Sequence, residues 1–71
     1  MSNIKVGQVY SNKSMNFRIV STWVDEDRDM RDFIRNDGFV LSGCLNEDYE
    51  LIAEYPTWQE AVNSKEFNDE S

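Results

Sequence analysis

The run Tyr49-Glu50-Leu51-Ile52-Ala53-Glu54-Tyr55-Pro56-Thr57-Trp58-Gln59-Glu60-Ala61-Val62 changes its apolar period halfway along, and that change decides the fold class. Up to Tyr55 the period is two. Tyr49, Leu51, Ala53 and Tyr55 share one face of an extended chain, with Glu50 and Glu54 on the other beside Ile52. Pro56 ends the strand, Thr57 is placed to cap a helix, and Glu60 three residues on completes a capping box. Trp58, Ala61 and Val62 then fall at i, i+3 and i+4, one apolar stripe. A helix this short is marginal alone, so its stripe must lie on a sheet. The pattern predicts an α+β fold in which an antiparallel sheet of three to five strands carries one C-terminal helix over residues 57–63.

Further strands precede that switch. Residues 39–44 read as one, joined to 49–55 by Leu45-Asn46-Glu47-Asp48, a connector of hairpin length. Residues 17–24 read as the strongest, with Phe17, Ile19 and Trp23 on one side and Val20 and Val24 on the other. Apolar residues on both faces indicate a central strand or a strongly curved sheet. Residues 4–10 read as the first strand and 11–16 as a polar turn. Residues 25–37 fit two readings. As a helix they offer Asp25 as cap, Asp27–Arg31 and Arg28–Asp32 as i,i+4 pairs, and Met30, Phe33 and Ile34 as an apolar face. As a hairpin, residues 31–36 pair with 39–44 through Asp37-Gly38, a reading favoured slightly by the apolar residues flanking that dipeptide.

Size and charge bound the function. Seventy-one residues make one domain, read as 1–67 with a frayed acidic tail at 68–71. Nine aromatic residues supply most of the core such a chain can build, and Phe17, Trp23, Tyr55 and Trp58 are read as core. One of the Trp or Tyr residues could instead anchor a protein interface, where these types are enriched. The net charge of −7 is confined to the last two thirds: residues 1–24 contain Lys5, Lys13 and Arg18 and no acid. Such a chain repels nucleic-acid backbones and anionic membranes and attracts basic protein surfaces. Asp25, Asp27, Asp29 and Asp32 form one candidate partner-binding segment, and Glu47, Asp48, Glu50 and Glu54 another. They complement a basic groove or imitate spaced phosphates, which is the logic of a DNA mimic or inhibitor; solubility is the competing account.

Chemistry is scarce. The chain has no histidine, which removes the commonest general base and metal ligand. Cys44, the one cysteine, is read as a small apolar residue on a strand, with acidic neighbours that oppose thiolate formation. Asp25, Asp27 and Asp29 match the opening of a calcium loop, but Met30 and Asn36 stand where that loop needs Gly and Glu. No catalytic residue, cofactor or metal is therefore expected. A lone cysteine and the lack of any long apolar run point to a cytoplasmic protein with no membrane partner.

Two stretches carry a resemblance. Val6-Gly7-Gln8-Val9-Tyr10, a polar turn, and Phe17-Arg18-Ile19-Val20 resemble the opening of small Src-homology-3-like barrels, where the glycine permits a bend. Tyr55-Pro56-Thr57-Trp58-Gln59-Glu60-Ala61-Val62 is similar to the strand-to-helix closure of small accessory proteins of tailed, T-even-like bacteriophages. The resemblance implies a partly open barrel and a non-enzymatic phage protein that binds a basic host protein in the bacterial cytoplasm. The rival expectation is an assembly module, a homodimer whose bare sheet face, with Val20, Val24 and Ile52, is covered by a second copy.

Overall fold

The structure, a computed structural model, describes residues 4–68. It holds five strands, β1 (Gln8–Asn12), β2 (Arg18–Asp25), β3 (Met30–Arg35), β4 (Val40–Gly43) and β5 (Tyr49–Glu54), and two short helices, α1 (Trp58–Val62) and α2 (Lys65–Asn68). The strands form one sheet in the order β4-β3-β2-β1-β5, antiparallel throughout.

The ambiguous segment is a hairpin. Asn36, Asp37 and Gly38 form a three-residue loop in which the Gly38 N–H donates to the Arg35 carbonyl (2.8 Å) and the Arg35 N–H to the Phe39 carbonyl (2.7 Å). Gly38 sits at φ 92°, the left-handed position such a loop ends on. The first strand starts later than its apolar pattern indicates. Gly7, at φ 94°, turns the chain into β1, and a Cβ there would run into the Tyr55 carbonyl. From this point the Gly7 N–H donates to Ser21 (2.9 Å) and its carbonyl accepts from Tyr55 (3.1 Å), tying β2 and the end of β5 together. Ser11 and Asn12 prolong β1 because both find partners, Arg18 and Glu50 for the first, Tyr49 for the second.

Two bulges overturn the expected faces. The β2–β3 register slips between Ser21 and Trp23, so Ile19 and Trp23 lie on opposite sides of the sheet. The β1–β5 register slips between Val9 and Tyr10, which pair with Ala53 and Leu51 across the extra residue Ile52. Tyr49 therefore packs with Tyr10, Ile19 and Phe33, while Ala53 and Tyr55 pack on the other face with Val9 and Val20. Val20, expected on a bare face, is fully buried.

Each face has its own core. On one, Val9 and Val20 meet Ala61 of α1 and Phe67 of α2, with Ile34, Ala53, Tyr55, Trp58 and Val62 around them. Thr57 caps α1 as its position predicts, accepting from the Glu60 N–H (3.2 Å). The second helix was not expected. Ser64 starts it, accepting from the Phe67 N–H (3.2 Å) and donating to the Ala61 carbonyl (2.5 Å). Of the expected frayed tail, Asn68 instead closes α2 with bonds to the Val62 and Ser64 carbonyls (3.0 and 2.8 Å), and 69–71 lie outside the described residues.

On the other face Tyr10, Ile19 and Phe33 are packed by Phe17, Leu41, Leu45 and Tyr49. Among the described residues no helix covers them; the sheet curls over them. Gly43, the end of one edge strand, is six residues from Tyr49, the start of the other. That stretch reaches about 20 Å when extended, whereas four strand spacings in a flat sheet take about 19 Å before any offset along the strands is added. The sheet must bend for so short a connector to cross it, and Leu45 packs against the buried face on the way.

Candidate functional site

The predicted acidic residues do not form one surface. The Asp48 carbonyl accepts from the Lys13 N–H (2.7 Å), so Glu47 and Asp48 stand beside the β1–β2 turn. Asp25, Asp27 and Asp29 lie at the β2–β3 turn, at the opposite end of β2. The structure separates them because antiparallel β2 runs the length of the sheet between the two turns.

The first group follows an edge. Glu47 and Asp48 are exposed in the turn before β5; Glu50 and Glu54 are exposed on β5, an outermost strand. Between them Leu51 (44% exposed) and Ile52 are left open by the bulge. Glu54 accepts from Gln8 Nε2 (3.3 Å), and among the described residues no ion pair neutralises these four acids.

In the second group, Asp25 Oδ1 accepts from the Asp27 N–H (3.1 Å), and the other carboxylate oxygen lies 3.8 Å from Arg28 Nε. Asp27 is exposed, and Asp29 takes a left-handed φ of 56° that closes the turn. Asp32 does not belong with them: it is half-buried within β3 and accepts from Ser42 Oγ on β4 (2.8 Å), so it is a sheet-bracing side chain. Cys44 is likewise displaced from its expected role. It lies exposed just past β4, its thiol donating to the Asp29 carbonyl (3.2 Å).

Beside the second group is an open cleft of about 510 Å³, lined by Ile4, Lys5, Val6, Trp23, Val24 and the acids Asp25, Glu26 and Asp27. The β1–β2 ladder ends at the Gly7–Ser21 bond, and residues 4–6 flank the cleft from the other side. Trp23, expected in the core, is 50% exposed here because the Thr22 bulge turns it away from Ile19.

Arginines organise the rest of the polar structure. Arg31, only 9% exposed, donates to the Tyr10 hydroxyl (2.5 Å), which donates to Gln8 Oε1 (2.7 Å), and its guanidinium lies 5.3 Å from the Tyr10 ring centre. Arg35 is clamped between Phe17 and Phe39, 5.0 and 4.9 Å from their centres, while gripping Asp37 through Nε and Nη2 (2.9 and 2.5 Å). That grip, with the Phe39 N–H, holds the Asp37 carboxyl down to about 2. The same contact raises Arg35. On the helix side Tyr55 donates to Glu66, which raises the phenol and lowers the carboxyl.

Sequence reasoning missed Trp23 as a surface residue, and no period-two pattern can show a bulge. Signals did exist for the Arg35 clamp: Arg-Asn-Asp-Gly-Phe places a base two residues before the turn acid and an aromatic two after it. Among the described residues no group of three or more acids and cysteine is arranged to hold a metal ion, and no helix is long and apolar enough to cross a membrane. No family model, curated protein or solved structure matches the chain.

Proposed function

We propose that this chain is a non-enzymatic binding protein that engages a basic surface on a partner protein and modulates or inhibits that partner. The observation that supports it is the β5 edge: four acids without ion-pair partners among the described residues, with Leu51 and Ile52 open between them. An apolar centre inside a charged rim is the general anatomy of a protein interface. A net charge of −7 steers a basic partner toward it and speeds association. A basic groove that holds nucleic-acid phosphates is the kind of target such an edge complements. The curled five-stranded sheet is compatible with a Src-homology-3-like scaffold for this role, and the resemblance to phage accessory proteins makes bacterial proteins the first partners to test.

The test is capture from a bacterial lysate by the wild-type chain and by a variant with Glu47, Asp48 and Glu50 changed to Lys. A partner held by the wild type, released by salt and lost to the variant supports the reading. Equal retention by a variant of unchanged fold sinks it.

A second reading, self-association, is favoured by one feature. Phe39 and Val40 are 55% and 65% exposed at the β4 edge, and a second copy pairing there would cover both. A mass in solution that stays monomeric from micromolar to millimolar concentration removes it.

A further inference from the structure

We infer that the cleft between residues 4–6 and the end of β2 receives an arginine side chain from a basic, extended segment of a protein partner. This rests on the proposed recognition of basic partners and assigns it a site and a residue type. The chain shows the pattern internally. Arg31 lies over Tyr10, and Arg35 lies over both Phe17 and Phe39. Trp23 has half its surface open, and among the described residues no cation lies over it. An indole face is the strongest of the natural cation–π acceptors.

The cleft supplies what a guanidinium needs besides that face. Ile4, Val6 and Val24 form an apolar wall for the methylene stem, and Glu26 and Asp27 are exposed carboxylates at the rim. Among the described residues neither acid is ion-paired, because Arg28 turns to Asp25. A planar fork stacks on the ring and donates to carboxylates in the same plane, which an ammonium cannot do. Lys5 is the one base on the lining and opposes an arriving cation. With Asp25 paired to Arg28, Glu26 and Asp27 still outweigh it, so the cleft attracts cations overall.

The full chain is titrated with tetra-arginine, tetra-lysine and tetra-citrulline peptides and followed by amide and indole N–H shifts. Tetra-arginine is expected to move the Trp23 indole N–H and the amides of Lys5, Val6, Glu26 and Asp27. It should bind more tightly than tetra-lysine, and tetra-citrulline should not bind. Trp23→Ala should weaken the tetra-arginine complex by about tenfold, while Trp23→Tyr keeps most of it. Lys5→Ser should strengthen it, and the double change Glu26→Gln with Asp27→Asn should weaken it. Equal affinity for the arginine and lysine peptides, or wild-type affinity in Trp23→Ala, overturns the assignment. Shifts confined to Glu47, Asp48 and Glu50 overturn the cleft but leave the proposed function standing. No binding of either basic peptide, together with no salt-sensitive capture of any partner, removes both.

Discussion

The two faces of the sheet are closed by different means. One is roofed by helices, Ala61 and Phe67 resting on Val9 and Val20. The other has no helix among the described residues; curvature and the Leu45 connector bring Phe17, Leu41 and Tyr49 over Tyr10, Ile19 and Phe33. The roofed face is mostly aliphatic at its centre. The self-covered face is aromatic and admits Arg31, whose Nη1 donates to the Tyr10 hydroxyl and whose guanidinium lies over the Tyr10 ring. On the self-covered face the Phe17 and Tyr49 rings meet edge-on, their centres 6.1 Å apart.

The comparison breaks most severely at the two buried phenylalanines. Phe33→Ala and Phe67→Ala should each cost about 3–5 kcal/mol, enough to unfold most of so small a domain. The milder Phe33→Leu and Phe67→Leu variants keep the measurement in range, at about 1–2 kcal/mol each by urea denaturation. Comparable losses show that both faces carry the fold. An unaffected Phe33→Leu would reduce the curled face to a covering.

Thr57→Ala tests the roofed face alone. It leaves the Glu60 N–H without its cap and should lower stability by about 1 kcal/mol. Unchanged melting would mean that packing of Ala61 holds α1 without the cap. On the curled face the corresponding change has the opposite sign. Ser21 is fully buried opposite Phe33, and its hydroxyl has no hydrogen-bond partner among the described residues. Ser21→Ala should therefore raise stability, by about 0.5–1 kcal/mol. A loss would show that the hydroxyl is satisfied by water.

The smallest effect is a pH dependence at the Arg35 clamp. The folded Asp37 carboxyl lies near 2 against an ordinary 3.8, held there by Arg35 and the Phe39 N–H. Its contribution is complete above about pH 4 and disappears as the pH falls through about 2. Denaturation midpoints of the wild type and Asp37→Asn should differ at neutral pH and converge in that acid window. Parallel curves down to about pH 2 would show that the grip adds nothing to stability.

Much of this architecture is legible in the sequence. The period switch at Pro56, the Thr57 cap and the hairpin around Asp37-Gly38 all appear in the structure because each is a local preference of a few adjacent residues. Glu50 and Glu54 on β5 are exposed, but not on the one face their alternation indicates, because Glu50 pairs with Ser11 and Glu54 with Gln8 on either side of the Ile52 bulge. Among the features not legible were the second helix, the side taken by Trp23, the burial of Val20, and the separation of residues 39–44 from 49–55, which read as a hairpin but form opposite edges of the sheet. A four-residue helix leaves almost no periodic signal, and Phe67 holds it in place from the core.

By itself the sequence determined the strand-to-helix order, the charge of each segment and the absence of histidine, since these depend on neighbours along the chain. Tertiary structure decided which residues meet. One extra residue at Thr22 and one at Ile52 reverse every side chain beyond them, because strand faces alternate with period two. Where the register slips depends on the paired strand, which lies far away in sequence. Trp23 reaches the acidic cleft and Tyr49 reaches the aromatic core through those two slips.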